Sequence, residues 1–250
     1  MSDLIYHYTS SDVLEKIITC KKLRFTNIIS LKDKNEYKHG VQLLKNKIIE
    51  YENTHTITSK FDTSFLDRFT FAKSHYSVSF SELGDFLGFW NSYYVPKTGG
   101  IAIGFNREQV FERGFIINPC IYGDPYPPMG KDRYLWFKTI FDKKNIINIS
   151  KNIEYIRITF QTAHIKEKCF EIEKEWRAIG YAPIDTQIVY FKKNDKEVKF
   201  FDYPININSI WEVIIGPSEN QELIFADVRQ IINTYGLNCK IVKSTIPLSL

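Results

Sequence analysis

Apolar positions along the chain recur with two periods, and the change from one to the other marks the elements. Residues 4–9, Leu-Ile-Tyr-His-Tyr-Thr, form a short β-favouring run, and 23–26 reads as a second strand. Between them Asp12 is expected to cap a helix, with Glu15 three residues on and Val13, Ile17 and Cys20 as its apolar stripe. A polar loop at 30–36 leads into a long helical pattern over about 35–52, and a further helical piece is expected over 63–73. Residues 76–81, Tyr-Ser-Val-Ser-Phe-Ser, alternate as a half-buried strand does. A short helix is expected over 84–94, with Trp90 and Tyr93 three apart and so on one face. Gly99 and Gly100 turn the chain into 101–105, Ile-Ala-Ile-Gly-Phe, whose apolar continuity predicts a strand buried on both faces.

Further along, Asn106 is expected to cap a short helix and 115–122 to form a strand. The Pro-rich stretch 124–130 reads as a loop. Residues 134–166 are mainly helical in pattern, with a break at 143–145, and a strand should begin near Glu173. Strand-like pieces at 187–191, 198–203 and 211–215 precede an amphipathic helix capped by Ser218 and running to about 235, and 239–244 closes as a strand. No internal repeat or low-complexity linker interrupts this order. Helices and strands are segregated rather than wound as regular βαβ units, so the expectation is one α+β domain over 1–250.

Composition adds limits. Of 250 residues, 44% are hydrophobic and 25% charged, an ordinary balance for a soluble globular protein with a sizeable core. The 19 Phe, 15 Tyr and 4 Trp must mostly fill that core. A net charge of +4, spread among acidic residues, permits a phosphate-bearing partner without demanding one. The first residues carry no basic stretch followed by a long apolar one, so no signal peptide is expected, and no apolar run approaches a membrane span. Cys20, Cys120, Cys169 and Cys239, like His7, His39, His55, His75 and His164, lack metal-ligand or redox-pair spacing. A reduced, cytoplasmic, metal-free protein is expected. Phosphate-loop, dinucleotide-fingerprint, nucleophile-elbow and zinc spacings are also missing.

The chemistry-bearing stretch is Glu173-Lys174-Glu175-Trp176-Arg177. On a strand Glu173, Glu175 and Arg177 project together. Such a trio is either a structural charge ladder or a place where one carboxylate is held ionised to meet developing positive charge. His7 is likewise either a core histidine satisfied at two nitrogens or a ligand group. Ser79 and Ser81 are either the polar face of a strand or site residues, and Trp90 and Tyr93 either core or a stacking platform.

A distributed set does more than any one piece. Tyr6-His7-Tyr8-Thr9-Ser10, Asp33 and Glu36, Val78-Ser79-Phe80-Ser81, Trp90-x-x-Tyr93, Gly100-x-x-x-Gly104-Phe105, Tyr122, Glu173-x-Glu175-x-Arg177 and Ile214-Ile215-Gly216-Pro217 follow in order. Together, from Leu4 to Ser244, they resemble the bacterial domain-of-unknown-function family numbered twenty-nine seventy-one. Phe170 stands where that family would have Trp.

The arrangement of a His-Tyr-Thr strand, a Ser-x-Ser strand and a Glu-x-Glu strand also looks like the three-part site of ADP-ribosyltransferases. That likeness implies a split two-sheet core with flanking helices and NAD as the substrate. By position, Glu175 would be the catalytic carboxylate and Glu173 would orient the acceptor. His7, with Tyr8 and Thr9 beside it, would hold a ribose. Ser79 and Ser81 would line the nicotinamide side, and Trp90 or Tyr93 would stack on the ring. The partners implied are NAD, a macromolecular acceptor (protein or nucleic acid) and a regulatory partner protein, with no membrane. The Lys/Ile/Asn-rich composition suggests a bacterium of low-GC genome. A toxin or phage-defence setting is expected by association with such a source, not from the chemistry of the residues. The alternatives are a non-catalytic nucleotide-sensing or interaction module of the same fold and a nucleic-acid-directed effector.

Overall fold

β1 (Leu4–Thr9) runs through the middle of a ten-stranded sheet in the computed structural model. The structure describes residues 3–30, 34–63, 66, 75–93, 99–111, 115, 117–140, 160–193 and 196–247. After β1 come α1 (Ser11–Cys20), β2 (Lys22–Asn27), α2 (Lys34–Thr54), β3 (His75–Ser81), α3 (Leu87–Tyr93) and β4 (Ile101–Asn106). β5 (Ile117–Pro119), β6 (Ile121–Tyr122), α4 (Lys131–Ile140), β7 (Ile165–Lys166) and β8 (Glu175–Tyr181) come next. The chain ends through β9 (Val189–Lys193), β10 (Lys196–Pro204), β11 (Ile210–Ile215), α5 (Gln221–Thr234) and β12 (Lys240–Lys243). This is a mixed α+β architecture, as the segregation of elements predicts.

The strand order is β12-β11-β4-β1-β3-β2-β10-β9, with β8 on β3 and β5 on β8. Described pairings in it are antiparallel except β11 with β12, which α5 joins as a crossover. β3 is the branch point. One of its edges pairs with β8 along its whole length, His75 opposite Tyr181 through Ser81 opposite Glu175. Its other edge is divided: β2 meets it at Tyr76 and Ser77, and β1 only at Ser81. Between those contacts β1 and β2 part, and the sheet forks. A separate parallel ribbon, β6 with β7, lies beside the main sheet.

Among the described residues three apolar clusters form, and the two larger ones hold the layers. The larger joins α1 and α5 to the sheet through Leu14, Ile17, Ile18, Ile224, Val228 and Ile232, and Phe25 stacks on Phe201 with centroids 5.3 Å apart. The smaller packs Val41, Leu44 and Ile48 of α2 against Tyr134 and Phe137 of α4 and Ile179 of β8. β4 is buried at every position, as its apolar continuity predicts. No helix among the described residues is long and apolar enough to cross a membrane.

Several local expectations are corrected. Ser10, in extended backbone, occupies the cap position of α1; Asp12 sits in the first turn and accepts the Ser10 hydroxyl. The buried stripe is therefore Leu14, Ile17 and Ile18, while Cys20 is exposed. β3 is buried on both faces apart from Ser79, because helices and loops cover the side that alternation assigns to solvent. Asn106 Oδ1 does accept the amides of Glu108 and Gln109, at 3.1 and 3.2 Å, but the residues after it form a turn, not a helix. In place of the single strand expected at 115–122, Ile117–Pro119 and Ile121–Tyr122 form two short ones, because β5 pairs with β8 and β6 with β7. The helical reading of 134–166 ends early: residues 160–163 are helical, but Ile165 and Lys166 are strand. α5 starts at Gln221, three residues beyond Ser218, whose carbonyl accepts the Gln221 amide. Of the helical expectation at 63–73 only Thr63, a turn, and Leu66, helical, are among the described residues, and the break at 143–145 lies outside them.

Candidate functional site

One row of residues crosses five strands and ends in a carboxylate at each side. Glu212 of β11 stands opposite Gly104 of β4, Gly104 opposite Tyr6 of β1, Tyr6 opposite Ser81 of β3, and Ser81 opposite Glu175 of β8. Residues directly opposite on antiparallel strands share a face, so this row is one surface. Gly104 makes it possible for the Tyr6 ring to lie across the row, because a Cβ there would sit 2.9 Å from Tyr6 Cε1. Tyr6 thereby reaches Glu212 and donates its hydroxyl to Oε2 at 2.8 Å. Burial and the Glu212 carboxylate both push the phenol above its ordinary range.

Where the row meets the fork in the sheet there is a cavity of about 100 Å³. His7, Tyr8, Ser79, Ser81, Glu173 and Glu175 line it, and Tyr6, Phe80 and Phe89 complete its walls. Six of the residues singled out in the sequence thus converge on one space, though they come from three strands and a turn. Glu173 and Glu175 do so in a different way from the one expected. The strand begins at Glu175; Glu173 ends a 3₁₀ turn (Lys168–Glu173), and Lys174 between them takes the left-handed conformation at φ 44°. The kink, not strand periodicity, brings both carboxylates to one side.

Glu175 is 6% exposed and fully engaged on one side. Arg177 Nε donates to its Oε1 at 2.7 Å and Nη2 to its Oε2 at 2.9 Å, a bidentate fork. Lys166 Nζ donates to the same Oε2 at 2.7 Å and to Glu173 Oε2 at 2.5 Å. Burial alone would raise the Glu175 carboxyl, but the two cations outweigh it and hold the group down at about 2. Of about four lone-pair positions on a carboxylate, three are taken, and the one remaining is on Oε1. The backbone amide of Glu175 donates to Tyr122 Oη at 2.7 Å. Burial pushes that phenol up to about 12, so it stays protonated.

His7 Nδ1 lies 3.0 Å from the Ser79 carbonyl. A carbonyl only accepts, so Nδ1 carries the proton and Nε2 is the acceptor in the neutral ring. Burial lowers the imidazole below its usual range, with the Ser79 carbonyl opposing, and the neutral form prevails at pH 7. Ser81 Oγ donates to the Glu173 carbonyl at 2.7 Å and accepts the Leu83 amide at 3.0 Å, which fastens the kinked turn to β3. Tyr8 Oη donates to the Leu83 carbonyl at 2.7 Å, and its ring lies 4.7 Å from both Phe89 and Trp90.

Two of the expected site residues are placed elsewhere. Thr9 is buried at the end of β1, opposite Ile101. Trp90 is packed with Ala102 and Ile214 and donates Nε1 to Asp85 at 2.7 Å, behind Tyr8 rather than on the cavity. Phe89 takes the position on the wall instead. The side chain of Tyr93 lies outside the described residues. No family model and no curated protein matches the chain. The function must therefore be argued from these side chains.

Lys166 was not anticipated. It follows a helical stretch as the second residue of a two-residue strand, and nothing in the local pattern of His164-Ile165-Lys166 marks it. Among the described residues no group of acidic, histidine and cysteine side chains is suited to a metal ion.

Proposed function

We propose that the chain is an NAD-consuming enzyme with a split-sheet, ADP-ribosyltransferase-like core, transferring ADP-ribose to a macromolecular acceptor or to water. The observation that supports this reading is the convergence of His7, Ser79, Ser81, Glu173 and Glu175 on one cavity, at the place where the sheet forks. The reaction breaks the bond from ribose C1′ to the nicotinamide nitrogen. Nicotinamide leaves with the electron pair and becomes neutral, so no acid is needed to assist it. An acceptor oxygen or nitrogen then bonds to C1′ and loses its proton.

As that bond stretches, positive charge develops on the ribose, and a fixed carboxylate accepting the ribose 2′-hydroxyl binds it more tightly than the ground state. Glu175 suits the role: it is ionised throughout the neutral range and keeps one acceptor position. His7, neutral and held by Ser79, offers Nε2 to a second hydroxyl. Sites for whole ligands span about 300–1,000 Å³; a cavity of about 100 Å³ is smaller than that, so only part of a dinucleotide would enter it.

The ion cage on Glu175 favours a second reading, in which the same fold binds a nucleotide without cleaving it. A carboxylate this buried, with three of its about four acceptor positions taken, fits a structural role equally well. The experiment that separates the two is incubation of the purified chain with NAD, followed by assay of free nicotinamide. Release that disappears in Glu175→Gln, with the fold intact by circular dichroism, supports the enzyme. Binding of NAD without release supports the sensing module. Neither binding nor release overturns both.

A further inference from the structure

Glu173 and Glu175 share one cation, and it is delivered from outside the main sheet. Lys166 stands on β7, in the two-stranded ribbon whose other member, β6, ends at Tyr122. The register sets Lys166 directly opposite Tyr122. These two residues grip the start of β8 from the same element: Tyr122 Oη takes the Glu175 amide at 2.7 Å, and Lys166 Nζ takes its carboxylate at 2.7 Å. Cys120, just before β6, adds a third tie, its amide donating to the Glu175 carbonyl at 2.8 Å.

The ammonium of Lys166 is itself sunk in the protein, the residue being 2% exposed. It contacts both carboxylates, and the Phe170 ring lies 4.9 Å from Nζ. Phe170, which stands where the resembled family would have Trp, is thus a wall of this cation's seat. A buried ammonium is costly unless its donors are engaged; the two glutamates engage it. In return it cancels the repulsion that two carboxylates on one small cavity would otherwise exert on each other.

We infer that Lys166 is a positioning residue of this site, the group that draws Glu173 and Glu175 together and fixes the oxygen that Glu175 presents to the cavity. Arg177 does not replace it, because the guanidinium is bonded to Glu175 and to the Ala163 carbonyl, at 2.9 Å. Lys166 is bonded to both carboxylates at once. Its role in catalysis rests on Glu175 being the carboxylate that meets the ribose; its control of the two carboxylates does not.

Other charged or titratable groups face the cluster. Arg177 lies on β8, Tyr122 on β6, His164 just ahead of β7, and His7, Tyr6 and Tyr8 on β1 across the cavity. His39 of α2 stands 4.0 Å from Glu167, the residue after Lys166. Of these, the Tyr122 phenol also feels the Lys166 ammonium, which acts against its burial, so the Glu175 carboxyl has to be followed directly and not through its neighbours.

The test is the pH profile of nicotinamide release for the wild-type chain, Lys166→Gln, Lys166→Met and Lys166→Arg. An opposite charge at this range moves a carboxyl by about 1–3 pH units. The neutral variants should therefore show an acidic limb at least about one unit above that of the wild type, with kcat lowered more than KM changes. Lys166→Arg, which keeps the charge, should retain the wild-type limb. Neutral variants with the wild-type profile and kcat overturn the inference while leaving the enzymatic reading standing. If the wild type releases no nicotinamide, that reading fails by itself. The Glu175 carboxyl, followed by carbon-13 NMR in the wild type and Lys166→Gln, then decides the matter: an upward-moved titration supports control by Lys166, and an unmoved one overturns it. Lys166→Gln keeps the hydrogen-bonding capacity of the site should Lys166→Met not fold.

Discussion

The imidazole of His7 is tied by Nδ1 to the main-chain carbonyl of Ser79, 3.0 Å away on the neighbouring strand. β1 and β3 are paired by backbone at one position only, Tyr6 with Ser81, so this side chain closes the mouth of the fork where the ladder stops. His7→Phe leaves that carbonyl without its donor. A loss of about 1–3 kcal/mol in urea unfolding is expected, together with loss of any nicotinamide release. Because burial lowers the imidazole below its usual 6.5, the unfolded chain takes up the proton more readily than the folded one. Wild-type stability should thus decline as pH falls below that value. His7→Phe should flatten the decline in part, since His164 is lowered by burial too and contributes through the same effect.

Acid should act on Glu175 next. Its carboxyl is held at about 2 in the fold against an ordinary 4.5, so the unfolded state binds the proton first as pH drops. The stabilisation is complete above 4.5 and lost progressively toward 2. Thermal midpoints recorded across that window should fall for the wild type, and Glu175→Gln should lie lower at pH 7 with a flatter slope through it. Equal slopes would mean that the ion cage is not formed in solution.

Tyr122→Phe removes only the oxygen that accepts the Glu175 amide. An orphaned amide at the start of β8 costs about 1–3 kcal/mol. Hydrogen exchange should locate the effect: the Glu175 amide, and not those at the far end of the strand near Tyr181, should lose protection. Uniform loss along β8 would show that the ribbon braces the whole strand.

Gly104→Ala puts a methyl 2.9 Å from Tyr6 Cε1 on a strand buried at every position. Either the ring or the strand must yield, and a cost of about 1–3 kcal/mol is expected. The double variant Gly104→Ala, Tyr6→Leu should recover part of it, since the leucine does not reach across the row. A measured non-additivity near zero would show that the glycine serves something other than the ring.

The architecture was largely legible in the chain, and the reasons are local. The five apolar residues at 101–105 can only be a strand covered on both faces, and 35–52 carries helical periodicity long enough to be unambiguous. Six of the nine residues singled out for the site do line one cavity. The errors have a common cause, which is that tertiary pairing overrode the local pattern. Residues 115–122 have the composition of one strand but serve two partners, and Lys166 reads as the tail of a helix while being held as strand by Ile121 and Tyr122. Trp90 and Phe89 illustrate the limit differently: both are buried, and the bond from the indole to Asp85, which in turn accepts the Ser244 hydroxyl, holds Trp90 behind Tyr8 while Phe89 takes the cavity wall. The left-handed Lys174, which separates the two glutamates from a simple strand pair, carries no marker, since the residue there is not Gly or Asn.

The five-strand row has a consequence for assembly. A strand displaced by a single residue turns each of its side chains to the other face. Sliding β1 by one step would seat Ile5 or His7 over Gly104, leave Glu212 without its phenol, and send Tyr6 into the apolar layer beneath. Only one alignment of β1 satisfies the glycine, the phenol and the carboxylate together. The hollow at the fork is therefore also a checkpoint on folding: it exists in the correctly aligned sheet and in no neighbouring misalignment.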